Sequence, residues 1–205
     1  CAVNPQLTQE INTDPIRDIC KKLPTSKKVI FMSTCSVYGA QDETLNEESK
    51  TNPLSAYAAT KLASEKFVLV FRLGTVFGLG DTYSRLRMDL VVNVLTMRAM
   101  KYGEININGG DQWRPIIAVK DIARYISEAC QTEKDGIYIL SRENVVIREL
   151  GEKVASLVPG TKINYTEISF LDSRNYKVDN SKSLNAFRYE PKISVEQEVA
   201  RMLNI

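Results

Sequence analysis

A tyrosine and a lysine stand four residues apart in Tyr57-Ala58-Ala59-Thr60-Lys61. On a helix this spacing puts a phenol and an ammonium on one face. A positive charge beside a phenol favours the phenolate and lowers its pKa, so Tyr57 reads as an acid/base working near neutral pH. Upstream, Phe31-Met32-Ser33-Thr34-Cys35-Ser36-Val37-Tyr38-Gly39 reads as the end of a buried strand entering a hydroxyl-rich turn. Thr34 there offers a second hydroxyl to the same reacting oxygen. The residues suggest redox or proton-transfer chemistry on an alcohol or ketone. With nine tyrosines in the chain, such a pair is by itself nearly a chance event. The ordinary alternative is an exposed tyrosine packed on a lysine stem, so the surrounding order has to decide.

Alternating strands and helices position these groups. Residues 14–23 read as a helix with Asp14 as N-cap and Pro15 at the first helical position. Residues 28–32 form a short apolar strand. Residues 40–53 are polar and acidic and read as a loop. A helix over 54–69 carries Tyr57 and Lys61, and Phe71-Arg72-Leu73 is the next strand, followed by Gly74, Gly78 and Gly80. Only nine residues separate Lys61 from Phe71, short for a full helix, a turn and a strand. Further helices are expected at 89–100, stopped by Gly103, and at 121–130, 146–157 and 194–203, with strands at 105–107, 136–140 and 162–165 and an extended 115–119. This alternation argues for an α/β fold with a parallel sheet.

The 205 residues are 43% hydrophobic and 25% charged with net charge +2, an ordinary globular composition. Interspersed charges give no nucleic-acid surface, and no apolar run is long enough to span a bilayer, so neither nucleic acid nor membrane is an expected partner. The chain has no histidine, which removes Ser-His-Asp and Cys-His nucleophilic catalysis and histidine metal sites. Four scattered cysteines without a C-x-x-C pair argue against zinc or a disulfide framework and suit a reducing cytoplasm.

The order of motifs is strand, Ser-Thr-x-x-Val-Tyr-Gly, acidic loop, Asn-Pro-x-x-x-Tyr-x-x-x-Lys, then a strand with Arg-x-x-x-Val-Phe-Gly. It resembles the extended short-chain dehydrogenase/reductase family of nucleotide-sugar epimerases and dehydratases. Gly110-Asp111-Gln112-Trp113-Arg114-Pro115 with Val119-Lys120-Asp121-Ile122-Ala123, and Asp172-Ser173-Arg174-Asn175-Tyr176-Lys177-Val178-Asp179, are similar to later family segments. The resemblance runs from about Val29 to Leu203. It implies a Rossmann-type parallel sheet binding NAD over residues 1–78 and 115–143. A smaller substrate-binding α/β part would span 79–114 and 144–205. The implied substrate is a nucleotide-diphosphate sugar.

On this resemblance Tyr57 removes the sugar's hydroxyl proton while hydride passes to the nicotinamide. Lys61 holds the cofactor ribose and lowers the Tyr57 pKa, and Thr34 bonds the reacting oxygen. Gly74 joins the cofactor contacts by letting the backbone pass close. Arg114 is a diphosphate candidate, since a guanidinium forks onto phosphate oxygens, and Arg174 is a weaker one. Thr75 stands where the family often has a substrate-facing asparagine. Sugar 4,6-dehydratases of the family carry two acids directly after the catalytic threonine, whereas this chain has Cys35 and Ser36. A 4-epimerase is therefore expected, with a 4-ketoreductase or dehydratase, or a non-catalytic binding protein, as alternatives. Cys35 reads as a buried small residue rather than an acid/base. The family's G-x-x-G-x-x-G fingerprint is absent from the 205 residues. Residues before Cys1 and near Val70 are therefore expected to be missing from this stretch. Family members often dimerise, so a homodimer is expected.

Overall fold

A computed structural model of the chain describes residues 4–24, 26–81, 83–85, 87–166 and 175–204. Helix α1 (Pro5–Asn12), which the sequence reading did not anticipate, starts under an Asn4 cap that accepts the Leu7 N–H at 3.0 Å. It is followed by α2 (Asp14–Lys22). Asp14 is a helical residue here, not the cap. Thr13 holds the cap position without capping, because its hydroxyl donates to the Thr60 carbonyl at 3.1 Å.

Strand β1 (Ile30–Thr34) runs into a 3-10 turn, Cys35–Tyr38, and Gly39 closes the turn at φ +72°. The polar stretch 40–53 contains one short strand, β2 (Thr44–Leu45). Helix α3 (Ala56–Ser64) is capped by Ser55, whose hydroxyl accepts the Ala58 N–H at 3.1 Å. It is shorter than the expected 54–69. The chain tightens into a 3-10 turn at Glu65–Phe67, where Glu65 turns its carboxylate inward, and β3 (Leu69–Leu73) begins two residues later. This tight turn accounts for the short Lys61–Phe71 spacing.

Gly74 then bends the chain into β4 (Thr75–Phe77). A Cβ at Gly74 would sit 3.0 Å from the Pro115 carbonyl oxygen, so only glycine lets the two backbones approach this closely. Helix α4 (Val91–Tyr102) ends at Gly103, in the left-handed conformation. There follow β5 (Glu104–Asn108), β6 (Trp113–Ala118), α5 (Val119–Ala129), β7 (Ile137–Leu140) and β8 (Glu143–Val146), the last unforeseen. The described elements close with α6 (Ile147–Leu157), β9 (Lys162–Thr166), β10 (Lys177–Val178), α7 (Ser181–Ala186) and α8 (Val195–Met202). A reciprocal Ser194–Gln197 capping box opens α8.

The first sheet is wholly parallel, in the order β1-β3-β7. Its C-terminal edge carries the site, because Thr34 lies opposite Leu73. A second sheet joins β4, β6 and β8, and parallel pairs link β5 with β9 and β2 with β10. The architecture is thus α/β and Rossmann-type. Phe71, Tyr125, Tyr138 and Phe187 pack edge-to-face beneath the first sheet, at 5.1–6.5 Å between ring centroids. A second core gathers Leu95, Ile105, Ile107, Ile116, Leu150 and Val199 between α4, α6 and α8.

Candidate active site

Thr34, Tyr57 and Lys61 come together at the C-terminal end of β1. Thr34 is the last residue of the strand, and its hydroxyl stands near enough to the Tyr57 phenol to pull that group's pKa down. Tyr57 remains 38% exposed, open to a reactant. Lys61, one turn further along α3, has its Nζ 6.0 Å from the Tyr57 ring centroid and 4.6 Å from that of Phe31.

The electrostatics differ from the expectation that Lys61 lowers the Tyr57 pKa. Partial burial strips hydration from the phenolate and raises the pKa, while the Arg87 charge and the Thr34 hydroxyl pull the other way. Tyr57 therefore sits above the ordinary tyrosine range rather than near neutrality. Lys61 is engaged elsewhere, donating to the Met32 carbonyl at 2.8 Å. Strand geometry explains this. The Val29 carbonyl pairs with Leu69 of β3, so the Met32 carbonyl, three residues on, points to the opposite edge of β1. No strand among the described residues pairs with that edge, and the ammonium takes the place of one. Burial also lowers the Lys61 pKa.

Three groups near the phenol were not singled out as partners by the sequence. Arg87 forks onto Asp89 at 2.8 and 2.7 Å, and its loop is tied down by Asn93. The Asn93 side chain accepts the Gly78 N–H at 2.9 Å and donates to the Arg87 carbonyl at 3.1 Å. The Ser36 hydroxyl lies 3.2 Å from that of Thr34, and the Tyr176 hydroxyl lies 3.4 Å from Ser36. The one signal for Ser36 was the hydroxyl-rich turn; Tyr176 stood in a quoted family-like stretch, and Arg87 in an unremarked charged loop. Cys35 is fully buried, its thiol donating to the Arg72 carbonyl at 3.3 Å. Burial pushes its pKa far up, so it is an inert packing residue.

Gly74, Thr75 and Arg114 form a second group where the chain passes from the first sheet to the second. Thr75 pairs with Ile116 in register, and Gly74 packs on Pro115, the neighbour of Arg114. The space beside Gly74 is filled by β6. Arg114 is 6% exposed and donates to the Trp113 carbonyl at 2.8 Å. Arg174 lies outside the described residues.

The arrangement suits the reactive end of a nicotinamide cofactor. A hydroxyl, a phenol and an ammonium converge at the carboxyl end of a parallel strand, the usual position for ligands in open α/β sheets. The described residues hold no cluster of metal-ligating side chains and no helix long and apolar enough to cross a membrane.

A model of the NAD dependent epimerase/dehydratase family matches residues 3–140. The UDP-glucuronate 4-epimerase of Thermodesulfobacterium geofontis is 27% identical over 193 residues, covering 87% of this chain and 58% of the relative. The chain thus spans little more than half the length of that relative. A UDP-N-acetylglucosamine 4-epimerase from Methanobrevibacter ruminantium, solved with UDP-N-acetylmuramic acid, superposes with TM-score 0.82 at 21% identity, covering 99% of this chain and 72% of that one. RMD from Pseudomonas aeruginosa, complexed with NADPH, gives 0.84 at 20% identity, covering 99% and 75%. At these identities the solved structures speak for the fold. The family model, the parallel sheet and the Thr34-Tyr57-Lys61 cluster at its edge agree: the chain belongs to the NAD-dependent epimerase/dehydratase family.

Proposed function

We propose that the protein is an NAD-dependent epimerase that acts on a nucleotide-diphosphate sugar through a transient 4-keto intermediate. The observation carrying this reading is the gathering of Thr34, Tyr57 and Lys61 at the C-terminal end of β1, before a turn whose first residues, Cys35 and Ser36, are not acids. Tyr57 takes the proton of the sugar's 4-hydroxyl and later returns one to the 4-keto oxygen. Thr34 steadies that oxygen, and Lys61 supplies an ammonium with three N–H donors, one of them given to Met32. NAD, when bound, supplies the hydride acceptor and donor. Eliminating water would need an acid/base pair beside Thr34. A buried thiol with a raised pKa and a serine hydroxyl do not provide one.

In this reading the segments 1–78 and 115–143 serve the cofactor, and 79–114 and 144–205 serve the sugar nucleotide. Thr75 meets the sugar, and Arg114 and Arg174 meet the diphosphate. The protein works as a homodimer, as the family resemblance suggests. The test is incubation of the full-length protein with a panel of nucleotide sugars, followed by NMR. The reading expects one sugar to equilibrate with its C4 epimer without net change in NADH. A released keto-sugar, or stoichiometric consumption of NADH, would overturn it in favour of a dehydratase or a ketoreductase.

A further inference from the structure

Two buried polar side chains, Asn93 of α4 and Glu198 of α8, grip the chain where it leaves β4. Each is 1% exposed. The Gly78 N–H donates to Asn93 Oδ1 at 2.9 Å, and the next N–H, that of Leu79, donates to Glu198 Oε2 at 2.9 Å. Each of the two successive donors is thus taken by a different helix. Glu198 Oε1 accepts a second bond, from Arg201 Nη1 at 2.5 Å. The Asn93 amide is likewise used at both ends, since its Nδ2 donates to the Arg87 carbonyl at 3.1 Å. Gly78 and Arg87, at the two ends of one loop, are drawn onto a single side chain.

Gly78 is shaped for this grip. Its φ is +96°, and a Cβ there would lie 2.6 Å from Glu198 Oε2. The carboxylate can approach the backbone this closely only because no side chain stands in its way. The surroundings are apolar, with Phe77, Val92, Val195 and Val199 in one core. Burying an amide and a carboxylate among them costs desolvation that apolar residues would not. An apolar side chain would fill the space, but it could not fix where two backbone N–H groups stand.

The chain they fix leads back to the site. Leu73 lies opposite Thr34, Gly74 bends the chain, and Thr75 opens β4. The Gly74 N–H donates to the Leu140 carbonyl at 2.9 Å, which holds the start of this stretch. Thr75, Val76 and Phe77 pair in register with Ile116, Ile117 and Ala118. Asn93 and Glu198 close the other end, so Thr75 sits on a short strand fastened at both ends.

We propose that Asn93 and Glu198 are positioning residues for the sugar side of the site, which hold the end of β4 and so set where Thr75 stands. The inference rests on the proposed reading in which Thr75 meets the sugar. Both residues act through the backbone of Gly78 and Leu79.

The test compares Glu198→Ala with Glu198→Gln in the full-length protein turning over its accepted nucleotide sugar. Glutamine keeps an oxygen for the Leu79 N–H, whereas alanine leaves that donor buried and unmatched. Displacing Thr75 weakens binding of ground state and transition state alike, so Glu198→Ala is expected to raise KM about tenfold with kcat nearly kept. Glu198→Gln is expected to keep the native KM. Amide hydrogen exchange at Leu79 is expected to quicken in the alanine variant only. Thr75→Val is expected to raise KM too, and Glu198→Ala added to it to raise KM no further. A structural role alone would cost folded enzyme, lowering kcat at an unchanged KM. That result, a glutamine variant that behaves like alanine, or additive rises in the double variant would overturn the proposal. If Glu198→Ala does not fold, Asn93→Ala is read in the same way, with exchange followed at Gly78. If the protein epimerises no sugar of the panel, the proposed activity fails by itself, and calorimetric affinity for each nucleotide sugar replaces KM in every comparison.

Discussion

Glu65 and Arg72 form a two-pronged ion pair, with Arg72 Nη2 2.6 Å from Glu65 Oε2 and Nε 3.1 Å from Oε1, and both residues buried. Glu65 follows the last turn of α3, and Arg72 lies opposite Ser33, the residue before Thr34. Ser33 donates to Glu65 Oε1 at 2.5 Å, and Arg72 Nη1 donates to the Tyr38 hydroxyl at 2.7 Å. The pair therefore clamps the helix carrying Tyr57 and Lys61 to the strand carrying Thr34. Burial works against the Arg72 charge, but the hydrogen bonds to Glu65 and Tyr38 outweigh it and hold its pKa above the usual value.

Removing one partner leaves a buried charge uncompensated. Glu65→Ala is expected to destabilise the protein by about 3–5 kcal/mol, whereas the double change Glu65→Met with Arg72→Met recovers most of that loss. Urea unfolding of the full-length protein measures both. Equal losses in the single and double variants would mean that the pair matters through shape, not charge.

Gly39 is the second structural hinge of the site. Its φ is +72°, and a Cβ there would lie 2.3 Å from the Asn52 carbonyl oxygen. Backbone on both sides leaves nothing flexible to move, since the Asn52 N–H also donates to the Val37 carbonyl at 2.9 Å. Gly39→Ala is expected to cost at least about 1–3 kcal/mol from the conformation alone, with a further clash. Thermal melts should show a lowered Tm, and activity should fall with it as the Cys35–Tyr38 turn shifts.

The raised Tyr57 pKa fixes a direction for the pH dependence. In the proposed reaction sugar oxidation would use the phenolate, so kcat/KM in that direction should rise towards alkaline pH. Arg87 is a cation that lowers the Tyr57 pKa. Arg87→Ala is therefore expected to move the rising limb to higher pH, with activity lost near neutrality and regained in alkali. A pH profile that falls at every pH by one factor would assign Arg87 to binding instead. For stability the sign is opposite. The fold favours the protonated phenol, so the Tyr57 contribution holds below the ordinary tyrosine value of about 10 and is lost as pH rises past it.

The candidate Thr34-Tyr57-Lys61 cluster was legible because its logic is local. Tyr57 and Lys61 share a face by helix geometry, and Thr34 ends an apolar strand. Gly103 as a helix stop and Ser194 as a helix start were equally readable from residue type. What sequence could not supply was long-range. Lys61 turns to the Met32 carbonyl because of which edge of β1 lies open, and Tyr176 reaches Ser36 across 140 positions of chain. Helix α3 stops at Ser64 where Glu65 turns towards Arg72, a tertiary contact overriding helix propensity. Strand β8 was missed because its antiparallel pairing with β6, Arg114 opposite Val145, is what makes it a strand.

Tyr57→Phe in the full-length protein tests the central claim most directly, with C4 epimerisation of the accepted nucleotide sugar followed by NMR. The substitution keeps the ring and removes only the proton carrier. A fall in kcat of about 10²–10⁴-fold, with the fold and nucleotide-sugar binding retained, is the predicted result. Full turnover by the phenylalanine variant would contradict it.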